Sequence, residues 1–175
     1  PVLGSAWTSG YIVRDQPTPA GADRPSASFN PVSSDYFRTM QIRLLEGRPF
    51  GEQDRQDAPF VVVVTRAFAR RHWSDGTAIG RQVSQGGDAP WRTVVGGVQD
   101  LKQSSLERDC GAEVFLPLDQ SPPLRAGIVV RAHNGSLDLA DAVRGELRTA
   151  DPTLPIGSVA SMDSLVGETL VSRRA

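Results

Sequence analysis

Apolar residues in this chain fall into short runs whose spacing predicts the elements in turn. The clearest run, residues 60–64 (FVVVV), is continuous, β-branched and bounded by Pro59 and Thr65, the mark of a strand buried on both faces. Thr65 is placed to cap a helix over 66–73, in which Phe68, Ala69 and Trp73 share one face. Earlier in the chain, residues 10–14 (GYIVR) have strand character. Residues 28–32 (SFNPV) form a short extended piece that Pro31 confines to an edge or strand end. Ser33 and Ser34 offer an N-cap for a helix over 35–40, with Asp35 in its first turn and Tyr36, Phe37 and Met40 on its apolar face. LLEGRPF then turns at Gly47 and leads into a polar loop over 51–58.

Residues 82–85, 91–98 and 112–118 read as three more strands, so 59–120 is mainly β with one helix. The last third changes character. Residues 127–132 (GIVVRA) predict a strand and Asn134-Gly135 a turn, and Ser136 caps a helix over 137–150. Leu137, Ala140, Val143, Leu147 and Ala150 recur there at helical spacing, with Asp138 and Asp141 early and Arg144 and Arg148 late, as the helix dipole prefers. Pro152 and Pro155 end it; a strand over 156–160 and a helix over 163–170 follow. This β-α-β-α order predicts a sheet with helices on one face. The Pro-, Gly-, Ser- and Ala-rich start is abrupt and suggests a cut end rather than a natural N-terminus.

Composition narrows the function classes. With 39% apolar and 22% charged residues the chain has the makeup of a folded globular domain, and 175 residues support one sizeable core or two small coupled lobes. Nineteen basic against twenty acidic residues give a net charge of −1, which excludes a nucleic-acid binder relying on bulk positive charge. FVVVV is far short of the roughly 20 apolar residues a spanning helix needs. A single cysteine, Cys110, excludes an internal disulfide.

Reactive groups are sparse and scattered. His72 and His133 are about sixty positions apart, neither has a metal-ligand partner at suitable spacing, and His72 reads as a solvated side chain at a helix end. Cys110 reads as a loop thiol without a nearby general base. Glu52, Asp54 and Asp57 read as a solvated acidic loop, Asn134-Gly135-Ser136 as a turn and cap rather than a glycosylation site, and Arg66, Arg70 and Arg71 as the exposed side of an amphipathic helix. No catalytic, cofactor-binding or metal-binding residue is nominated.

The order of segments says more than any single site. SSDYFRTMQIRLLEGRPF, VVVVTRAFARRHW, AIGRQV, WRTVVGGVQDLKQSSL, EVFLPLDQ, IVVRAHNGS and MDSLVGETLVSRRA together resemble, over residues 26–175, the MacB-like extracytoplasmic core domain of FtsX-type ABC transporter permeases, especially the duplicated orphan-permease group. The resemblance implies an α+β fold: a porter-like β-α-β lobe, residues 1–58 and 121–175, with a small β-rich lobe, 59–120, inserted. It implies a non-enzymatic domain on the extracytoplasmic (periplasmic) face of the bacterial plasma membrane, without a cofactor, that relays or gates ATP-driven motion of membrane helices. The implied partners are an ATP-binding cassette subunit acting through the parent permease, a second permease half or protomer, and a periplasmic partner protein. Nucleic acid is not among them. The membrane is reached through flanking helices absent from this chain, and Ser172, Arg173 and Arg174 are its membrane-proximal residues. Relatives begin with a strand and helix that this chain lacks, and they often carry Asn where Thr65 stands. Two rival readings are an extracytoplasmic ligand-binding or sensor domain and a carboxylate-based hydrolase using Asp54 or Asp57.

Overall fold

The computed structural model describes residues 6–14, 16, 23–73, 77–101, 112–131, 139–153, 155–157 and 159–161. The chain divides into two units, Leu3–Val129 and Val130–Ala175. The first carries strands β1 (Trp7–Gly10), β2 (Ile12–Val13), β3 (Ser26–Val32), β4 (Leu44–Gly47), β5 (Val61–Thr65), β6 (Gln82–Ser84), β7 (Arg92–Val98) and β8 (Glu113–Pro117), with helices α1 (Tyr36–Thr39) and α2 (Arg66–His72). These strands form one eight-stranded sheet in the order β1-β3-β8-β5-β7-β6-β2, with β4 also on β7. Pairs β3–β8 and β5–β7 are parallel and the others antiparallel, so the sheet is mixed and the fold α+β.

The sheet is built around β5. All five of its residues are buried, and their side chains alternate between faces. Val62 and Val64 enter one core with Tyr11, Phe29, Phe68 and Trp73. Val61 and Val63 enter another with Phe37, Phe50, Val98 and Phe115. The first core is capped by Phe68 of α2. In the second, the rings of Phe37 of α1 and Phe115 of β8 meet edge to face, 5.2 Å apart. Buried Gln120 fixes where β5 begins: its Oε1 accepts the Val61 N–H at 3.1 Å and its Nε2 donates to the Pro59 carbonyl at 3.1 Å.

Close approach demands glycine where β4 crosses β7. The β5–β7 register runs Val62↔Val94 and then Val63↔Gly96, so Val95 is an extra, bulged residue, and its carbonyl accepts the Arg48 N–H at 2.9 Å. A Cβ on Gly96 would lie 2.3 Å from the Arg48 carbonyl oxygen. Gly47, which ends β4, has φ +68, and a Cβ there would lie 2.2 Å from the Val95 oxygen.

Several expectations change. Phe60 lies outside the strand and is 38% exposed. β3 is interior, between β1 and β8. Pro31 is accommodated because β1 reaches only to Phe29, so beyond that residue one side of β3 has no described partner strand. Residues 10–14 split into the end of β1 and β2, with Tyr11 between them. Asp35 occupies the α1 cap position without capping; its carboxylate holds Arg38 at 2.8 Å instead. Strands from residues 26–47 and from residues 61–117 share the sheet, since β3 pairs with β8 and β4 with β7.

In the second unit, α3 (Leu139–Ala150) forms as its periodicity predicts, although none of its residues is fully buried. Residues 127–131 and the described part of 156–160 are not strands. Ile128 (61%), Val130 (45%) and Val159 (43%) are exposed, and β propensity without a paired neighbour among the described residues does not make a strand. The expected turn at 134–135, the Ser136 cap and the helix over 163–170 lie outside the described residues.

Two glycine substitutions separate close approach from flexibility in chemical denaturation. Gly96→Ala is expected to destabilise the sheet unit by about 1–3 kcal/mol through overpacking against backbone. Gly145→Ala in α3, where a Cβ meets nothing within 4 Å, is expected to be neutral or to stabilise by up to about 1 kcal/mol.

Candidate functional site

Three polar clusters tie segments of the sheet unit together. At the first, the turn that follows β4 brings Arg48 over Asp54. The guanidinium donates to both carboxylate oxygens, Nη1 to Oδ2 at 2.7 Å and Nη2 to Oδ1 at 2.8 Å, and the Gly51 N–H donates to Oδ2 at 3.0 Å. Burial by itself would raise the Asp54 pKa. The Arg48 and Gly51 hydrogen bonds outweigh it and hold the carboxyl below its ordinary range. Asp54 is therefore not part of a solvated acidic loop. It is a buried, ionised acceptor whose oxygens are engaged in closing a turn, while Glu52 and Asp57 stand exposed beside it. This is not the arrangement of a hydrolytic carboxylate pair, in which one group must hold or take a proton.

The second cluster fixes the start of α2. Thr65 Oγ1 accepts the Phe68 N–H at 3.5 Å, as expected of a cap, and also the Glu113 N–H at 3.1 Å, which ties the helix to β8. Asp100 adds a carboxylate at the same helix end, accepting from the Ala67 N–H at 2.6 Å and from Arg66 Nε at 3.3 Å. Glu113 is itself buried, with Asn30 Nδ2 donating to it at 3.4 Å. Burial and then the Glu113 charge push the Tyr36 phenol up. Arg66, Arg70 and Arg71 lie on the exposed side of α2, as their spacing predicts.

The third cluster lies at the other end of α2 and corrects the reading of His72 as solvated. Its ring is half-buried, with Nε2 2.7 Å from the Tyr11 hydroxyl and Nδ1 2.8 Å from Gln16 Oε1. Burial, and next the Arg71 charge, lower its pKa. These residues lie about sixty positions apart in sequence, so no local spacing signals the contact. Nearby in the sheet, Arg92 is buried, stacks 5.0 Å from the Phe60 ring centre and donates to Ser121 Oγ at 3.1 Å. Burial lowers its pKa.

Cys110, His133 and the membrane-proximal Ser172, Arg173 and Arg174 lie outside the described residues. Among the described residues no group of three or more His, Cys, Asp or Glu side chains is placed to hold a metal ion, and no helix is long and apolar enough to cross a membrane. What the clusters do is bind segments to one another: a turn to its strand, α2 to β8, and residues 11–16 to α2. Asp54→Asn is expected to cost about 1–2 kcal/mol in urea denaturation at pH 7, at the low end because Arg48 remains partly in water. The wild-type advantage is expected to persist down to about pH 4 and to vanish as the carboxylate protonates below that, since a lowered carboxyl pKa stabilises only while the group is ionised.

Comparison with known proteins shows the family and the fold. The profile of the MacB-like periplasmic core domain matches residues 5–150. Among solved structures, the periplasmic region of MacB from Actinobacillus actinomycetemcomitans is similar, with a TM-score of 0.58 and 16% identity over 83% of this chain and 64% of that one. The extracellular domain of the ABC-type transporter YknZ from Gram-positive bacteria is similar with a TM-score of 0.53 and 15% identity, over 87% of this chain and 76% of that one. No curated protein matches the chain. This chain thus spans less than two thirds of the MacB region that it resembles. With five-sixths of its length inside the family profile and the same fold in those structures, the chain belongs to the MacB-like periplasmic core domains, the extracytoplasmic domains of ABC transporter permeases.

Proposed function

We propose that this domain is a mechanical part of its permease, without an enzymatic activity of its own. It relays or gates, on the extracytoplasmic side, the motion that ATP hydrolysis drives in the membrane helices. The observation that carries this reading is the family match over residues 5–150, which takes in the whole eight-stranded sheet and α3. The clusters around Asp54, Thr65 and His72 support it, because their polar atoms are committed to holding segments together. A densely packed body moves as a unit and passes on displacement instead of absorbing it. In this reading Ser172, Arg173 and Arg174 lead into the next membrane helix. The ATP-binding cassette subunit acts through the parent permease, and a second permease half or protomer, with a periplasmic protein, meets the domain's surface.

The reading is tested in the full-length permease assembled with its ATPase in lipid. Cys110→Ser removes this domain's thiol, any cysteines elsewhere in the permease are likewise replaced by Ser, and a spin label on Gln56→Cys, an exposed loop position, reports the distance between two permease protomers. A distance that changes between the nucleotide-free and ATP-trapped states is expected. The same distance in both states, with transport intact, would contradict a relay role.

A further inference from the structure

Arg92 is a buried cation that meets no opposite charge among the described residues. It pairs with Val83 of β6 and stands two residues before Val94 on β7, so it points to the same face as those valines, at the rim of the first core. Only 8% of it is exposed, and burial alone acts on its pKa, with no charged neighbour contributing. Within the guanidinium, Nη2 donates to Ser121 Oγ at 3.1 Å, whereas Nη1 is buried without a hydrogen-bond partner. The Ser121 oxygen accepts that bond, which leaves its own O–H to donate. Phe60 covers the guanidinium, its ring centre 5.0 Å from the central carbon, and the ring is itself 38% exposed, so this side of Arg92 faces the surface. The backbone beneath the ring is pinned: the Phe60 carbonyl accepts the Thr93 N–H at 2.9 Å and the Pro59 carbonyl accepts Gln120 Nε2 at 3.1 Å. The cover is therefore one side chain, which moves by changing rotamer on a fixed strand.

We propose that Arg92 and Ser121 form a receptor for a carboxylate, closed in the free domain by the Phe60 ring. A buried charge without a partner costs the fold stability, and an anion that pairs with it removes that cost. One cation calls for one negative charge. A carboxylate supplies it, whereas a phosphate dianion would leave charge in excess inside the protein. The two carboxylate oxygens also match the two free donors, one taking an N–H of Nη1 and the other the Ser121 O–H. To admit the group, the Phe60 ring swings out into water, while Thr93 and Gln120 keep the strand in place. The carboxylate is that of a free small molecule or of an acidic side chain on another protein; both present the same group to the site. The receptor lies apart from the clusters around Asp54, Thr65 and His72, and it holds whether or not the domain relays motion.

The test titrates the 175-residue chain by NMR at neutral pH, where carboxylates are ionised. One arm adds sodium acetate. The other adds the tripeptide Ala-Glu-Ala, acetylated and amidated so that glutamate is its one carboxylate. Sodium chloride keeps the ionic strength constant in both. Saturable shifts of the Arg92 Nε–H and Ser121 amide signals are expected in at least one arm. Tighter binding of the peptide assigns the site to a protein side chain, and acetate binding at least as tightly assigns it to a free small molecule. Arg92→Met, which keeps the bulk and removes the charge, should abolish the shifts. Phe60→Ala, which removes the cover, should tighten binding severalfold, and Ser121→Ala should weaken it severalfold, so the idea stays testable if Arg92→Met folds poorly. No saturable shift in either arm, equal shifts in Arg92→Met, or an affinity unmoved by both Phe60→Ala and Ser121→Ala would each overturn the receptor.

Discussion

The structure depends on a single strand having no exposed face. Val61–Thr65 runs between β7 and β8, and its valines alternate into two separate cores, so each side of the sheet is organised from the same five residues. Fully burying a valine contributes roughly 1.5 kcal/mol or more, and a slip of one residue would send each of these side chains to the opposite core. The strand therefore sets the register of its neighbours. Its parallel partner β7 meets this constraint with a bulge at Val95, and the bulge in turn brings the Arg48 carbonyl so close to Gly96 that no side chain fits.

Around that centre, buried polar groups do what a small domain needs when its connections are irregular. Asp54 holds a turn through Arg48, Thr65 joins the start of a helix to β8, and Gln120 fixes the entry to β5. Each links residues on different elements and raises the cost of moving one element without the others. That is the property the proposed relay role requires. The margin is different: β2 has only two residues and pairs with β6 alone among the described strands.

Much of this was legible in the order of residues where the physics is local. The valine run, the threonine after it, the face of Phe68, Ala69 and Trp73, and the strands at 82–84, 92–98 and 113–117 all depend on neighbours within a few positions. Pairing was less legible. Pro31 suggested an edge or a strand end; β3 is interior, and Pro31 is its next-to-last residue, beyond the last described pairing with β1 at Phe29. Residues 127–131 have the composition of a strand but find no partner strand among the described residues, a condition no local pattern reveals. The His72 contacts join residues about sixty positions apart, and Asp54 differs from Glu52 and Asp57 only in which of them the turn points at Arg48. The family itself was visible only in the succession of segments, none of which is distinctive alone.

Native-state hydrogen exchange most directly tests whether the sheet unit is one body centred on β5. The opening free energies of amides in β3 and β4, from the first part of the chain, are compared with those in β5, β7 and β8 and with the unfolding free energy from denaturant. A single shared value, equal to that of global unfolding, is the predicted result. A distinctly lower opening energy for β3 and β4, with β5 to β8 still protected, would show two independent lobes and contradict the account.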